Sequence, residues 1–262
     1  MDAPRGLRAR ARSLHPDHLG RIDLVVEDAG RLGAHGAMAP PWREAPSGRR
    51  GGTTGWVSTP ALTWQPSLFA SEDAGVDGSF GALRRVQLDG LSWVDHCPGW
   101  VVGSDAAFDE LVGTVPWTQR RRWMYDREVD EPRLTWWQRV DDDRPLEYPL
   151  LEQARAALSA RYGIVFDSVG MNLYRGGADS VAWHRDRIPK EIVDPVVALV
   201  SLGEPRKLLL RPKGGGQSQV FKLGRGDLFV TGGQSQRHFE HSIPKVARAG
   251  PRISVAFRHG VR

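Results

Sequence analysis

Between residues 168 and 258 the chain breaks into short apolar and β-branched runs, each closed by a turn signal. The runs are 168–174, 180–186, 196–202, 206–211, 219–223, 227–231, 238–243 and 252–258. Gly214-Gly215-Gly216 and Gly224-Arg225-Gly226-Asp227 lie between them, and glycine permits backbone turns that other residues resist. About eight short strands so closely spaced point to a barrel or a double-sheet jelly roll. Leu83-Arg84-Arg85-Val86-Gln87-Leu88 reads as an earlier strand, ended by Asp89-Gly90. Phe108, Leu111, Val112 and Val115 share one helical face, with Ser104 as its expected cap. A second helix is expected over about 149–162. Leu150, Leu151, Ala154, Leu158 and Tyr162 line its buried stripe, and Gly163 closes it in the left-handed conformation. The class is α+β, mainly β, with the helices packed on one outer face. No internal repeat is visible.

The chain's 262 residues, 40% apolar, suffice for one large domain or two small ones. Residues 1 to about 60 are rich in Gly, Ala, Arg and Pro, with Pro40-Pro41 and Gly51-Gly52 as breakers. They read as a disordered basic extension carrying Arg5, Arg8, Arg10 and Arg12. The folded domain is expected over 61–262, opening near Leu62-Thr63-Trp64. Cys97 is the only cysteine, so no intramolecular disulfide can form, which fits a reducing cytoplasm. No run approaches the ~20 apolar residues of a membrane helix, and no signal-peptide core precedes the domain. The expectation is a cytoplasmic monomer with no membrane partner. A formal charge of +5 suits a polyanionic partner without requiring one.

Trp183-His184-Arg185-Asp186 carries the first chemical signal. Side chains two apart on a strand share a face, so His184 and Asp186 point together and Arg185 points away. With a distant His241 they form two histidines and one carboxylate, the ligand set of non-haem Fe(II) oxygenases. Zinc accepts the same donors, and a short motif can arise by chance. His238 and His259 are also at hand. Arg252 and Arg258 lie six apart, sharing a strand face with Ser254 and Ala256, while Ile253, Val255 and Phe257 take the packing face. Two inward arginines need anions, and a dicarboxylate such as 2-oxoglutarate together with Asp186 would meet them. A solvated edge strand with scattered charges is the alternative. Asn172 and Tyr174 also share a face and can donate hydrogen bonds to a carboxylate.

Residues 117–139 interleave Trp117, Trp123, Tyr125, Trp136 and Trp137 with Arg120, Arg121, Arg122, Arg127, Arg133 and Arg139. Arginines neutralise phosphates and aromatic faces stack on bases. Asp126, Glu128, Asp130 and Glu131 dilute the charge. A connector whose tryptophans fill the core is the competing reading.

Together these motifs resemble the AlkB family of Fe(II)/2-oxoglutarate-dependent dioxygenases, which repair alkylated nucleic acids. The matching residues are Asn172-x-Tyr174, Trp183-His184-x-Asp186, Ser201-Leu202-Gly203, Gly226-Asp227-Leu228, His241-Ser242-Ile243-Pro244-Lys245 and Pro251-Arg252 through Phe257-Arg258. The resemblance covers roughly residues 62–260. It implies a double-stranded β-helix (jelly-roll) core with flanking helices and a nucleotide-recognition lid over about 115–145. It assigns iron to His184, Asp186 and His241, and 2-oxoglutarate to Asn172, Tyr174, Arg252 and Arg258, with Ser254 beside them. Arg252 is matched to the distal carboxylate, and Arg258 to the carboxylate nearer the iron and to Asp186. The lid candidates for substrate contact are Tyr125, Arg133, Trp136 and Trp137, joined by Trp183 and Arg187. Ser254 stands where some members carry asparagine, and Arg187 where many carry an acidic or polar residue.

The implied reaction is oxidative dealkylation of N1-methyladenine- and N3-methylcytosine-type bases in DNA or RNA. It uses Fe(II), 2-oxoglutarate and O2 and releases formaldehyde, succinate and CO2. The alternatives are an oxygenase acting on protein, lipid or a small molecule, and a nucleic-acid-binding module without catalysis.

Overall fold

Strand β14 (Arg252–Arg258) shows how the sequence builds the molecule. Ile253, Val255 and Phe257 are fully buried on one side, while Arg252, Ser254 and Ala256 are buried on the other. Such a strand must lie between two packed layers. The computed structural model describes residues 62, 64–66, 73–124, 126–141 and 143–260. The extension expected over 1–60 and the candidate Tyr125 fall outside these residues.

The remaining elements begin with β1 (Gly75–Val76), β2 (Arg84–Gln87), β3 (Ser92–Cys97), β4 (Val101–Val102) and α1 (Ser104–Thr114). Next come β5 (Thr118–Met124), β6 (Arg127–Arg139), α2 (Pro149–Tyr162), β7 (Ser168–Tyr174) and β8 (Val181–His184). The last are β9 (Val197–Gly203), β10 (Arg206–Pro212), β11 (Gln219–Leu223), β12 (Asp227–Gly233), α3 (Ser235–His238) and β13 (Phe239–Ile243). An eight-stranded antiparallel sheet runs β2-β3-β12-β9-β14-β7-β6-β5, and a four-stranded sheet runs β11-β10-β13-β8. Between them lies a core that includes Tyr174, Leu208, Leu210, Phe221, Phe229 and Phe239. The other face of the large sheet packs against both long helices through Phe108, Leu111, Leu158, Phe166, Leu202 and Phe257. Each such apolar side chain contributes about 1.5–3 kcal/mol when fully buried. This is the expected mainly β, two-sheet architecture with helices on one side. No helix among the described residues is long and apolar enough to cross a membrane.

Three differences from the sequence expectation have physical causes. Ser104 does not cap α1; Gly103 does, at φ 62°, with no side-chain cap bond. A Cβ at Gly103 would lie 2.2 Å from the Asp73 carbonyl oxygen, so glycine alone fits that approach. Residues 235–238 form the short turn α3, so the strand expected from 238 starts at Phe239. The aromatic–arginine stretch is the β5–β6 hairpin, which pairs with β7 and widens the large sheet. In the second helix Leu151, Ala154 and Leu158 are buried as expected, and Gly163 closes it at φ 67°. Leu150 and Tyr162 are only half-buried.

Strand β3 had no clear signature because it hides a carboxylate. Asp95 is fully buried. It accepts hydrogen bonds from Arg85 Nε at 2.7 Å, Arg85 Nη2 at 2.8 Å and the Tyr162 hydroxyl at 2.9 Å. These bonds tie β2, β3 and α2 together. Asp95→Ala should therefore lower unfolding free energy by about 2 kcal/mol in urea denaturation, the range for hydrogen bonds to a charged group. An unchanged midpoint would contradict this role.

Candidate active site

Pairing of β8 with β13 sets His184 opposite His241, with ring centroids 4.2 Å apart. The chain leaves β8 at His184, and Asp186 follows on the next segment. His241 Nε2 lies 3.9 Å from Asp186 Oδ2. His184 Nδ1 is 3.0 Å from the Ala182 carbonyl oxygen. A proton on Nδ1 donates there and leaves Nε2 with its lone pair free. Arg258 donates to Asp186 Oδ1 from Nε at 2.8 Å and from Nη2 at 2.5 Å. Oδ2 is thus the carboxylate oxygen that faces His241.

The electrostatics prepare these groups as donors. Burial alone would raise the Asp186 pKa, but Arg258, then His241 and His184, outweigh it and hold it at about 2. Burial pushes His241 down to about 4, against the pull of Asp186, with His184 and Arg258 adding to the fall. At neutral pH the set is an ionised carboxylate and a neutral imidazole at His241, beside the imidazole of His184. Among the described residues no three such side chains stand in finished coordination geometry, these included. Asp186 engages Arg258 and His241 instead. The donor set itself, two imidazoles and one carboxylate on adjoining elements, suits a divalent metal ion that keeps open positions.

A second group lies on β14 and β7, joined to this trio through Arg258. The register pairs Arg252 with Tyr174, Ser254 with Asn172 and Ala256 with Gly170, all on the inner face. Arg252 is fully buried, and its Nε donates to Ser201 Oγ at 2.9 Å. Its Nη1 and Nη2 are buried without a hydrogen-bond partner in good geometry, although the Tyr174 hydroxyl lies near enough to favour the charge. Burial pulls the guanidinium pKa down, yet arginine remains charged in proteins. Burial likewise raises the Tyr174 pKa against the pull of Arg252, Arg133 and Arg206, so it stays a neutral phenol able to donate. Asn172 Oδ1 accepts from Arg133 Nε at 3.0 Å, which leaves its amide NH2 as a donor.

A second buried arginine makes the contrast. Arg206 donates to the carbonyl oxygens of Gly176 at 3.1 Å, Asp179 at 3.0 Å and Pro244 at 2.7 Å. It is a tie between chain segments whose charge is met by carbonyls. The sequence reading missed it. Its even spacing from Leu208 and Leu210 was the available sign that it points inward.

The other histidines have their own tasks. His238 Nδ1 lies 2.9 Å from Asp89 Oδ2 in a separate groove, of about 620 Å³, floored by Val86, Leu88 and Leu210. His259 Nε2 accepts from the Val196 amide at 3.0 Å.

The candidate substrate residues divide by face. Trp137 pairs with Gly170, lies on the inner side and is 49% exposed. A Cβ at Gly170 would lie 3.2 Å from Arg258 Nη1 and 3.4 Å from Trp137 Cδ1, so this glycine lets both approach. Trp136 is not brought to this face. It packs edge-on against Tyr148, with centroids 5.7 Å apart, in the helix-side core. Trp183 is also turned away, because strand alternation opposes it to His184. The Arg211 guanidinium covers its ring at 3.9 Å and pairs with Glu240 at 2.6 Å. Arg133 bonds Asn172 and pairs through Nη2 with Glu131 at 2.8 Å, so it sits with the Asn172 group. Arg187 is exposed, directly after Asp186.

The family model described as the 2OG-Fe(II) oxygenase superfamily matches residues 105–258. The alpha-ketoglutarate-dependent dioxygenase alkB homolog 3 of Bos taurus is 32% identical over 190 residues, 64% of this chain and 66% of that protein. Its Homo sapiens counterpart is 30% identical over the same shares. The DNA oxidative demethylase ALKBH2 of Arabidopsis thaliana is 30% identical over 58% of this chain and 60% of its own. The chain thus spans just under two thirds of the length of the curated relatives it matches. A Pseudomonas putida prolyl-4-hydroxylase structure aligns with TM-score 0.45 and 16% identity, covering 63% of this chain and 91% of its own.

The depressed Asp186 pKa gives a signed prediction for the metal-free protein. Its folded value of about 2 lies below the ordinary 3.8. The stabilisation is therefore complete above pH 4 and is lost as pH falls through about 2. Between pH 5 and 2, urea unfolding of the wild type should lose roughly 2 kcal/mol more than that of Asp186→Asn. Parallel curves would contradict the assignment.

Proposed function

The chain belongs to the 2OG-Fe(II) oxygenase superfamily, within which its curated relatives include AlkB homologues, and on that premise we propose that it oxidatively dealkylates N-alkylated bases in nucleic acid. The substrates are bases of the N1-methyladenine and N3-methylcytosine type in DNA or RNA. The observation that carries the reading is the buried Arg252 guanidinium, whose Nη1 and Nη2 have no hydrogen-bond partner in good geometry, on the same strand as the Arg258 that holds Asp186. A buried cation of this kind calls for an anion, and a dicarboxylate cosubstrate meets the need.

In this reading His184, Asp186 and His241 hold Fe(II). Arg252 takes the distal carboxylate of 2-oxoglutarate through a two-pronged contact. Tyr174, Asn172 and Ser254 donate to it. Arg258 holds Asp186 through Oδ1, keeps Oδ2 turned toward His241, and stands ready for the nearer carboxylate. When bound, iron and cosubstrate supply the oxidation of an N-linked methyl group by O2, giving formaldehyde, succinate and CO2.

The protein's own work is placement. An alkylated base must leave its stack to reach an enclosed site. Residues 115–145 form the lid over that base. The exposed ring of Trp137, beside Gly170 and Arg258, offers one stacking face, and the exposed edge of His184 the other. Arg187 meets a phosphate. The Arg133–Asn172 bond joins the hairpin that carries Trp137 to the cosubstrate pocket.

The test incubates the protein with Fe(II), 2-oxoglutarate and methylated oligonucleotides, both DNA and RNA, single- and double-stranded. Formaldehyde release with restoration of the unmodified base is expected. Succinate release that no nucleic acid stimulates would overturn the substrate class, and absence of turnover would overturn the enzyme reading. His184→Ala should abolish turnover while leaving the melting profile close to wild type; near-normal turnover would remove it from the ligand set. Arg252→Met should weaken 2-oxoglutarate binding at least about 30-fold, the scale for removing one partner of a buried charge pair. Unaltered affinity by calorimetry would sink the distal-carboxylate role. Trp137→Ala should cost about 5- to 100-fold in oligonucleotide affinity, as loss of one base–aromatic stack does. A variant that binds like wild type would place the base elsewhere.

A further inference from the structure

Asp186 does not lie on a strand. β8 ends at His184 and β9 starts at Val197, so the carboxylate stands on the connecting segment. Something must fix that segment, because a metal site tolerates little looseness in its ligands. The four-residue turn α3 does this from the opposite side. Gln236, on α3, is 5% exposed. Its Oε1 accepts the Asp186 backbone N–H at 3.0 Å, and its Nε2 donates to Thr231 Oγ1 at 2.8 Å. Thr231 Oγ1 in turn donates to the Val197 carbonyl oxygen at 3.4 Å. The amide can face only one way, since flipping it would set an NH2 group against the Asp186 N–H. The far end of the segment is held from the same turn. Gln234 Nε2 donates to the Val193 carbonyl at 2.6 Å, and Arg237 Nη2 to the Ile192 carbonyl at 2.5 Å.

We propose that Gln236 is a positioning residue for the metal site, holding the Asp186 main chain while the turn it sits on leads directly into His241. One short turn thereby sets two of the three ligands relative to each other. Gln236 itself touches no reacting group and acts through Asp186. The proposal rests on the iron-ligand reading above, and its test separates the two.

Co(II) is titrated into metal-free wild type, Gln236→Met, Gln236→Glu and Thr231→Val, read by visible absorbance, with folding checked by circular dichroism. Methionine keeps the volume and removes both hydrogen bonds. Gln236→Met should weaken Co(II) binding about 10- to 100-fold, the usual effect of losing a partner that orients a ligand. Thr231→Val should give a smaller loss, and Gln236→Glu, which keeps the acceptor for the Asp186 N–H, should recover affinity. If folded Gln236→Met and Thr231→Val bind Co(II) as wild type does, Gln236 only packs and the proposal fails. A loss in Gln236→Glu equal to that in Gln236→Met would also overturn it. Should Gln236→Met not fold, Thr231→Val alone decides. If wild type binds no Co(II), the metal reading falls and this inference falls with it.

Discussion

The register of β14 is the constraint on which the rest depends. Ile253, Val255 and Phe257 lock into the helix-side core, fully buried. A slip of one residue would throw them into the space between the sheets and drive Arg252 into the apolar layer. With the register held, Arg252, Ser254 and Arg258 are forced to the inner face, opposite Tyr174, Asn172 and Ser168 of β7. The cost of burying a guanidinium is thus imposed by packing on the other side of the same strand. Arg258 recovers that cost through Asp186. Arg252 does so only in part, through Ser201 and the neighbourhood of Tyr174.

The second constraint is convergence. The candidate ligands come from β8, the segment after it, and β13. The sheet pairing places the two imidazoles side by side, and Arg258 from the large sheet reaches across to the Asp186 carboxylate. Arg258 and Asp186 therefore join the two groups. The superfamily membership and the AlkB relatives agree with a site built to pair a metal with a dicarboxylate. On the hairpin, Trp137 alone among the candidate tryptophans faces the site exposed.

Much of this was legible in the sequence because strand alternation has a period of two. Arg252 with Arg258, and Asn172 with Tyr174, follow from even spacing; His184 with Asp186 does not, because the strand expected over 180–186 ends at His184 and Asp186 is held on the segment after it. What stayed hidden needed a register or a tertiary partner. Whether Trp136 or Trp137 faces the site depends on which of them pairs with Gly170, a register set by the pairing of β6 with β7. The same alternation applied to Trp183 would have turned it away from His184. Asp95 breaks the apolar pattern of β3, since its partners Arg85 and Tyr162 are distant in sequence or on a helix. Gln236 gave no signal, for a lone glutamine in a four-residue turn looks like solvent-facing polarity until its two hydrogen bonds are seen.

In the proposed function a dicarboxylate and a metal ion meet at the junction of these two groups. Anaerobic titration of 2-oxoglutarate into Fe(II)-loaded protein, followed by visible charge-transfer absorption, tests it most directly. A saturable band is expected in the wild type and none in Asp186→Ala. No band in the wild type, or one that survives loss of Asp186, would contradict it.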